Sequence, residues 1–177
     1  QLHGELRLNV LHQFQRLVTL NDALVAAERG ILSLVNHIIQ HIQQFDSSLI
    51  PHINSLLKQL TTREISFNEE DLRLIIDSAS SQLFILRVEG EVAGMLTLGI
   101  YATPTGRKLW IEDVVVDNKF RGKGFGHTLI RHAIEYAQGY APCSLILTSN
   151  PKRVEANALY RSEGFELRNT NVYKMEL

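Results

Sequence analysis

The 177-residue chain has little cysteine, no long apolar run and no surplus of either charge. A single cysteine, Cys143, excludes an internal disulfide framework and every multi-cysteine metal site, and it fits a reducing compartment. No stretch reaches the roughly 18 consecutive apolar residues of a membrane-spanning helix. The N-terminus also lacks the basic stretch, apolar block and small-residue cleavage site of a secretory signal. Eighteen Lys and Arg against nineteen Asp and Glu leave a formal net charge of -1, so no overall field points to nucleic acid or an anionic membrane. Any anion site must therefore be local. With 45% apolar and 21% charged residues, the expectation is a cytoplasmic protein with one cored domain and some additional length.

Apolar residues recur every three to four positions from Glu5 to about Ile42, which predicts a helical extension over residues 1–35, divided by Asn21-Asp22 and Gly30. Its apolar stripe must be buried against the domain or a second copy, so a dimerisation arm, or the tail of a larger regulatory assembly, is one reading. Residues 37–45 fit either the end of that helix or a first strand. Asp46-Ser47-Ser48 reads as a cap for a helix over 49–60, and Asn68 as a cap for another reaching Ser78. The period then changes to two. Segments 82–89, 92–102 and 108–117, separated by Glu89-Gly90-Glu91 and Thr103-Pro104-Thr105-Gly106, predict an antiparallel meander. A long helix opens at Gly124, with Leu129, Ile130, Ala133, Ile134 and Ala137 on one face. A strand at 143–149, a helix near 152–163 and a strand pair within 165–177 complete the expected order.

The chemistry concentrates where strand 109–117 turns through Arg121-Gly122-Lys123-Gly124-Phe125-Gly126 into that helix. Exposed N–H groups at a helix N-terminus attract anions, glycines let the backbone approach closely, and Arg121 and Lys123 add positive charge. These parts suit a pyrophosphate. A P-loop would need Ser or Thr after Gly122-Lys123, and a Gly-x-Gly-x-x-Gly fingerprint fails at His127 and at Leu129. The alternative is a glycine-rich turn whose basic residues merely face water.

Placed after Ile111–Asp117, the motif Arg121-x-x-Gly124-x-Gly126 resembles the signature of the GNAT acyltransferase superfamily. A second stretch, Leu145–Asn150, Ala156-Asn157-Ala158-Leu159-Tyr160 and Gly164-Phe165, resembles that family's closing strand and helix. The resemblance covers roughly residues 36–177. It implies an α/β (α+β) fold with a mixed central sheet flanked by helices, and transfer of an acetyl group from acetyl-CoA to a primary amine of a small molecule or protein. It also implies pantetheine bound along Val114, Val115 and Val116, the pyrophosphate at residues 121–127, and Tyr160 beside the sulfur. Many members carry Asn where this chain has Arg153, so Asn157 is the weaker cofactor candidate.

Amine attack on a thioester needs a neutral amine, stabilisation of the oxyanion and an acid for the leaving thiolate. Glu112, expected by the period-two rule to share a face with Val114 and Val116, is the candidate base, with Asp113 pointing away. The bland reading of Glu112 is a surface carboxylate, and that of Tyr160 is an aromatic core filler. Cys143 reads as a structural thiol. His37 and His41 have a helix-compatible metal spacing but no third ligand, so no metal is expected. His127 is placed to touch a phosphate; otherwise it and His132 belong to a solvated helical face. A CoA-binding sensor without chemistry is the competing function.

Overall fold

The computed structural model describes residues 36–176. The chain divides into two units, Gln1–Asn36 and His37–Leu177. The expected N-terminal helical extension and its dimerisation role lie outside the described residues. In the second unit, β1 (His37–His41), β2 (Ser81–Val88), β3 (Glu91–Thr103), β4 (Gly106–Val116) and β5 (Cys143–Leu147) form one sheet in sequence order. The ambiguous segment after residue 36 is thus a strand. The first three junctions are antiparallel; β4 and β5 are parallel, because helix α3 (Phe125–Gln138) carries the chain back across the sheet.

Two further helices precede the meander. In α1 (Leu49–Leu60), Leu49, Ile53, Leu56 and Leu57 form the buried stripe that the spacing predicts. Its cap differs from expectation: the Asp46 carboxylate accepts from the Ser48 N–H at 2.9 Å and from its hydroxyl at 2.6 Å, so it shapes the turn before the helix and does not cap it. α2 (Glu69–Ile76) starts as expected at Asn68, in a capping box with Asp71. Ile53, Leu56, Leu57 and Leu72 pack with Ile85, Met95 and Val115 on one sheet face. Each fully buried leucine there contributes about 1.5–3 kcal/mol.

The opposite face belongs to α3, which buries Phe125, Leu129, Ile130, Ala133 and Ala137. His132 corrects the expectation of a solvated face. Its ring meets Phe84 of β2 edge-on at 4.8 Å, and its Nε2 is buried without a hydrogen-bond partner. Burial, with His41 nearby, lowers its pKa to about 4. The folded state therefore binds fewer protons than the unfolded chain between about pH 6.5 and 4. Stability is retained above that window and lost as pH falls through it, by up to about 1.4 kcal/mol per unit. Urea unfolding should show His132→Phe to be less acid-sensitive than the parent between those limits, and parallel profiles would refute the assignment.

The last helix, α4 (Val154–Ser162), ends at Gly164, whose φ of 91° lets the Phe165 N–H reach back to the Tyr160 carbonyl at 3.0 Å. The strand pair expected within 165–177 is absent from the described residues, and Leu167 and Tyr173 stand 94% and 87% exposed. Two short strands flanking the turn-forming Asn169-Thr170-Asn171, with Leu167, Val172, Tyr173 and Met175 all exposed, have no buried face to hold them together.

Candidate active site

The parallel pairing of β4 and β5 ends at Ile111 and Leu147, while β4 runs on to Val116. Beyond Ile111 the two strands have parted. A bulge lies at this point: Thr97 faces Glu112 but Met95 faces Val115, so two steps along β3 correspond to three along β4. The extra residue is absorbed at Asp113, whose φ of 52° is left-handed. Every later side chain consequently changes face. Glu112 faces the same side as Val115, not Val114 and Val116, which corrects the period-two reading. It reaches a cleft all the same, because that side at the splayed end lies beside Leu57 and Leu60 of α1. Asp113 lines the same cleft, contrary to the expectation that it points away.

After β4 the chain turns through Asp117, whose carboxylate accepts from the Lys119 N–H at 2.9 Å and from Gln59 Nε2 at 2.9 Å. Gln59 Oε1 in turn accepts from the Asn118 N–H, also at 2.9 Å, so α1 ties down the entry to the glycine turn. Gly122 and Gly124 have φ values of 74° and 83°, and a Cβ on either would meet only open space. Gly124 is the N-cap of α3 and has no side chain to accept from the first-turn N–H groups. Those donors and the positive helix end face the groove. Arg121 Nε donates to the Val116 carbonyl at 2.9 Å and pins the turn to the end of β4.

Two hollows with shared lining residues follow. The larger, of about 860 Å³, is lined by Val114, Val115, Val116, Arg121, Gly122, Gly124, Phe125, Gly126 and His127. The smaller, of about 260 Å³, contains Glu112 and Asp113. Leu60, Val114, Arg153 and Tyr160 border both. Tyr160 is half-buried, with its ring edge-on to Phe165 at 6.2 Å, and no described residue hydrogen-bonds its hydroxyl. Burial raises its pKa, while Arg153 acts the other way. Burial also raises Glu112, aided by the neighbouring Asp113, and burial raises Asp113.

Two candidates do not line the larger groove. The Lys123 ammonium lies 5.7 Å from the centre of the Phe120 ring, and the Asn157 amide donates to the carbonyls of Asn150 at 2.9 Å and Arg153 at 2.8 Å. Asn157 holds the β5–α4 loop. Sequence reasoning missed Lys152, which adds a cation to the groove, and Glu163, which joins the two helices around it. Glu163 meets His127 Nδ1 at 2.5 Å and Arg131 Nε at 3.0 Å. Burial pushes its carboxyl up, and these two partners outweigh that effect and hold it below the usual range. No local motif announces this pairing, which spans 36 residues of chain. His37 and His41 lie on a strand, where His37 meets Phe125 edge-on and His41 stacks on Phe84.

The site thus consists of parallel strands that part beyond Ile111 and lead into a glycine-capped helix. Residues 52–165 match the sequence profile of the acetyltransferase (GNAT) family, and the chain belongs to that family. It is an acetyl-CoA-dependent N-acetyltransferase by class. It is 26% identical over 164 residues to N-acetyltransferase 8B of Homo sapiens, covering 86% of this chain and 71% of that protein. It is 35% identical over 89 residues to the thialysine N-epsilon-acetyltransferase of Sus scrofa, covering 45% of this chain and only 51% of that enzyme. Among solved structures, the aminoglycoside N-acetyltransferase AAC(6')-Iy in complex with CoA aligns with a TM-score of 0.68 at 17% identity, covering 81% of this chain and 97% of that one. The mixed sheet flanked by helices is thus the GNAT fold. No helix among the described residues is long and apolar enough to cross a membrane.

Proposed function

We propose that this chain binds acetyl-CoA in the larger groove, with the pyrophosphate on residues 121–127 and the thioester at the junction of the two hollows, and acetylates an amine held in the smaller one. The observation that carries the reading is the position of Tyr160, whose unpartnered hydroxyl borders both hollows. A site for direct transfer needs an acid where cosubstrate and acceptor meet. The groove suits the cosubstrate in three ways: glycines leave its floor open, Arg121 and Lys152 supply charge, and β4 beyond Ile111 has backbone groups with no β5 partner. Val114, Val115 and Val116 offer those groups to the pantetheine amides.

In the proposed step the neutral amine nitrogen attacks the thioester carbonyl, forming the C–N bond. Glu112 takes the surplus proton from nitrogen, directly or through water. Tyr160 protonates the sulfur as the C–S bond breaks, leaving an amide and free CoA thiol. The raised pKa of Tyr160 keeps it protonated over the working range, and that of Glu112 brings it closer to a useful base. The relatives named for thialysine and glucosamine 6-phosphate point to amines as acceptors. A cytoplasmic setting agrees with the lone Cys143, which donates to the Ala137 carbonyl at 3.4 Å and takes no part in the chemistry.

Isothermal titration of the whole chain with acetyl-CoA and with free CoA tests the reading. Binding in the micromolar range, on the order of 8 kcal/mol, is expected. The absence of binding to either would overturn it.

A further inference from the structure

The smaller hollow carries more information than its role as a generic amine site requires. Its volume of about 260 Å³ falls below the roughly 300–1,000 Å³ of sites for drug-sized ligands, so it suits a small acceptor. Its lining carries charges of both signs. The bulge in β4 brings Glu112 and Asp113 into one space, and neither has a hydrogen-bond or ion-pair partner among the described residues. The same hollow is lined by Arg63, an exposed residue in the turn after α1. Its backbone N–H donates to Thr61 Oγ1 at 3.1 Å, which fixes the turn, and its guanidinium has no described partner. Arg153, the other cation here, is committed through Nη2 to the Leu60 carbonyl at 2.8 Å. Beside Arg63, Ile65 gives the rim an apolar surface that is 38% exposed.

Two unpaired carboxylates and an unpaired guanidinium lining one small hollow form a set that a single ligand can neutralise. Resting on the transfer reading above, we propose that the acceptor is a small ampholyte: a primary amine carrying a carboxylate, of the size of an amino acid. Its amino end lies between Glu112 and Asp113, its methylenes run over Ile65, and its carboxylate pairs with the Arg63 fork. The division of labour explains the second acid. Glu112 receives the proton of the attacking nitrogen, while Asp113 compensates the positive charge that nitrogen carries until the proton leaves. A guanidinium and a carboxylate match bidentately, which selects against amines that lack the anionic end.

The test uses matched pairs on the whole chain with acetyl-CoA, followed by release of CoA thiol: glycine, 4-aminobutyrate and 6-aminohexanoate, each against the alkylamine of the same length. At least one carboxylate-bearing member should exceed its partner by roughly tenfold or more in kcat/KM. Arg63→Gln should collapse that ratio through KM, and Arg63→Lys should restore part of it. Turnover of both members at equal rates, or of neither, with acetyl-CoA still bound, overturns the ampholyte and leaves cosubstrate binding intact. Failure to bind acetyl-CoA overturns both readings.

Discussion

Gly124→Glu should abolish acetyl-CoA binding, lowering affinity by on the order of 100-fold or more. Two effects act together. Gly124 sits at φ 83° as the N-cap of α3, a left-handed conformation that costs a residue with a Cβ about 1 kcal/mol. More important, the new carboxylate stands at the positive end of the helix, where it takes the place of the pyrophosphate and repels what remains. Because a Cβ at this position meets only open space, the fold should survive. Gly124→Ala separates the two causes. It carries the same strain without the charge, so its melting temperature should fall by a similar amount while it keeps most of its affinity in calorimetry. Equal loss of binding in both variants would mean that backbone shape, not anion recognition, governs the groove.

Tyr160→Phe and Glu112→Gln should each lower kcat by about 10²–10⁴-fold, the usual worth of a positioned acid or base, with acetyl-CoA affinity within a few-fold of the parent. The pH profile supplies the sign. Glu112 must be ionised to accept a proton, so activity is lost as pH falls through its raised pKa, and Glu112→Gln should remove that acidic limb. Tyr160 must be protonated to donate, so its raised pKa moves the loss of activity on the alkaline side above the ordinary tyrosine range. Steady-state rates across pH, with calorimetry on the same proteins, check both. A Glu112→Gln profile that keeps its acidic limb would transfer the role of base to Asp113, which lines the same hollow.

Much of this site is legible locally. A glycine-rich turn after a β-branched strand and before an amphipathic helix needs only neighbouring residues to specify it, whereas Tyr160 comes from the resemblance of its segment to the family. The two acids are the instructive failure. Alternation along Glu112, Asp113 and Val114 predicts opposite faces, but one extra residue in β4 relative to β3 resets the alternation. A bulge is a property of two strands and is invisible in either alone. The C-terminal strands fail for a related reason: Val172 and Tyr173 have strand propensity, yet without a face to bury they stay exposed.

By itself the sequence determined the order of helices and strands from the helix at Leu49 to the helix ending at Ser162, the buried stripes of α1 and α3, and the glycine-rich turn that opens α3. All of these rest on contacts or conformations between near neighbours. Tertiary structure alone decided that β4 and β5 part beyond Ile111, that Glu112, Asp113 and Arg63 line one hollow, and that Glu163 clasps His127 and Arg131. Each of those depends on where a distant element lies, and a period of 2 or 3.6 residues carries no information about that distance.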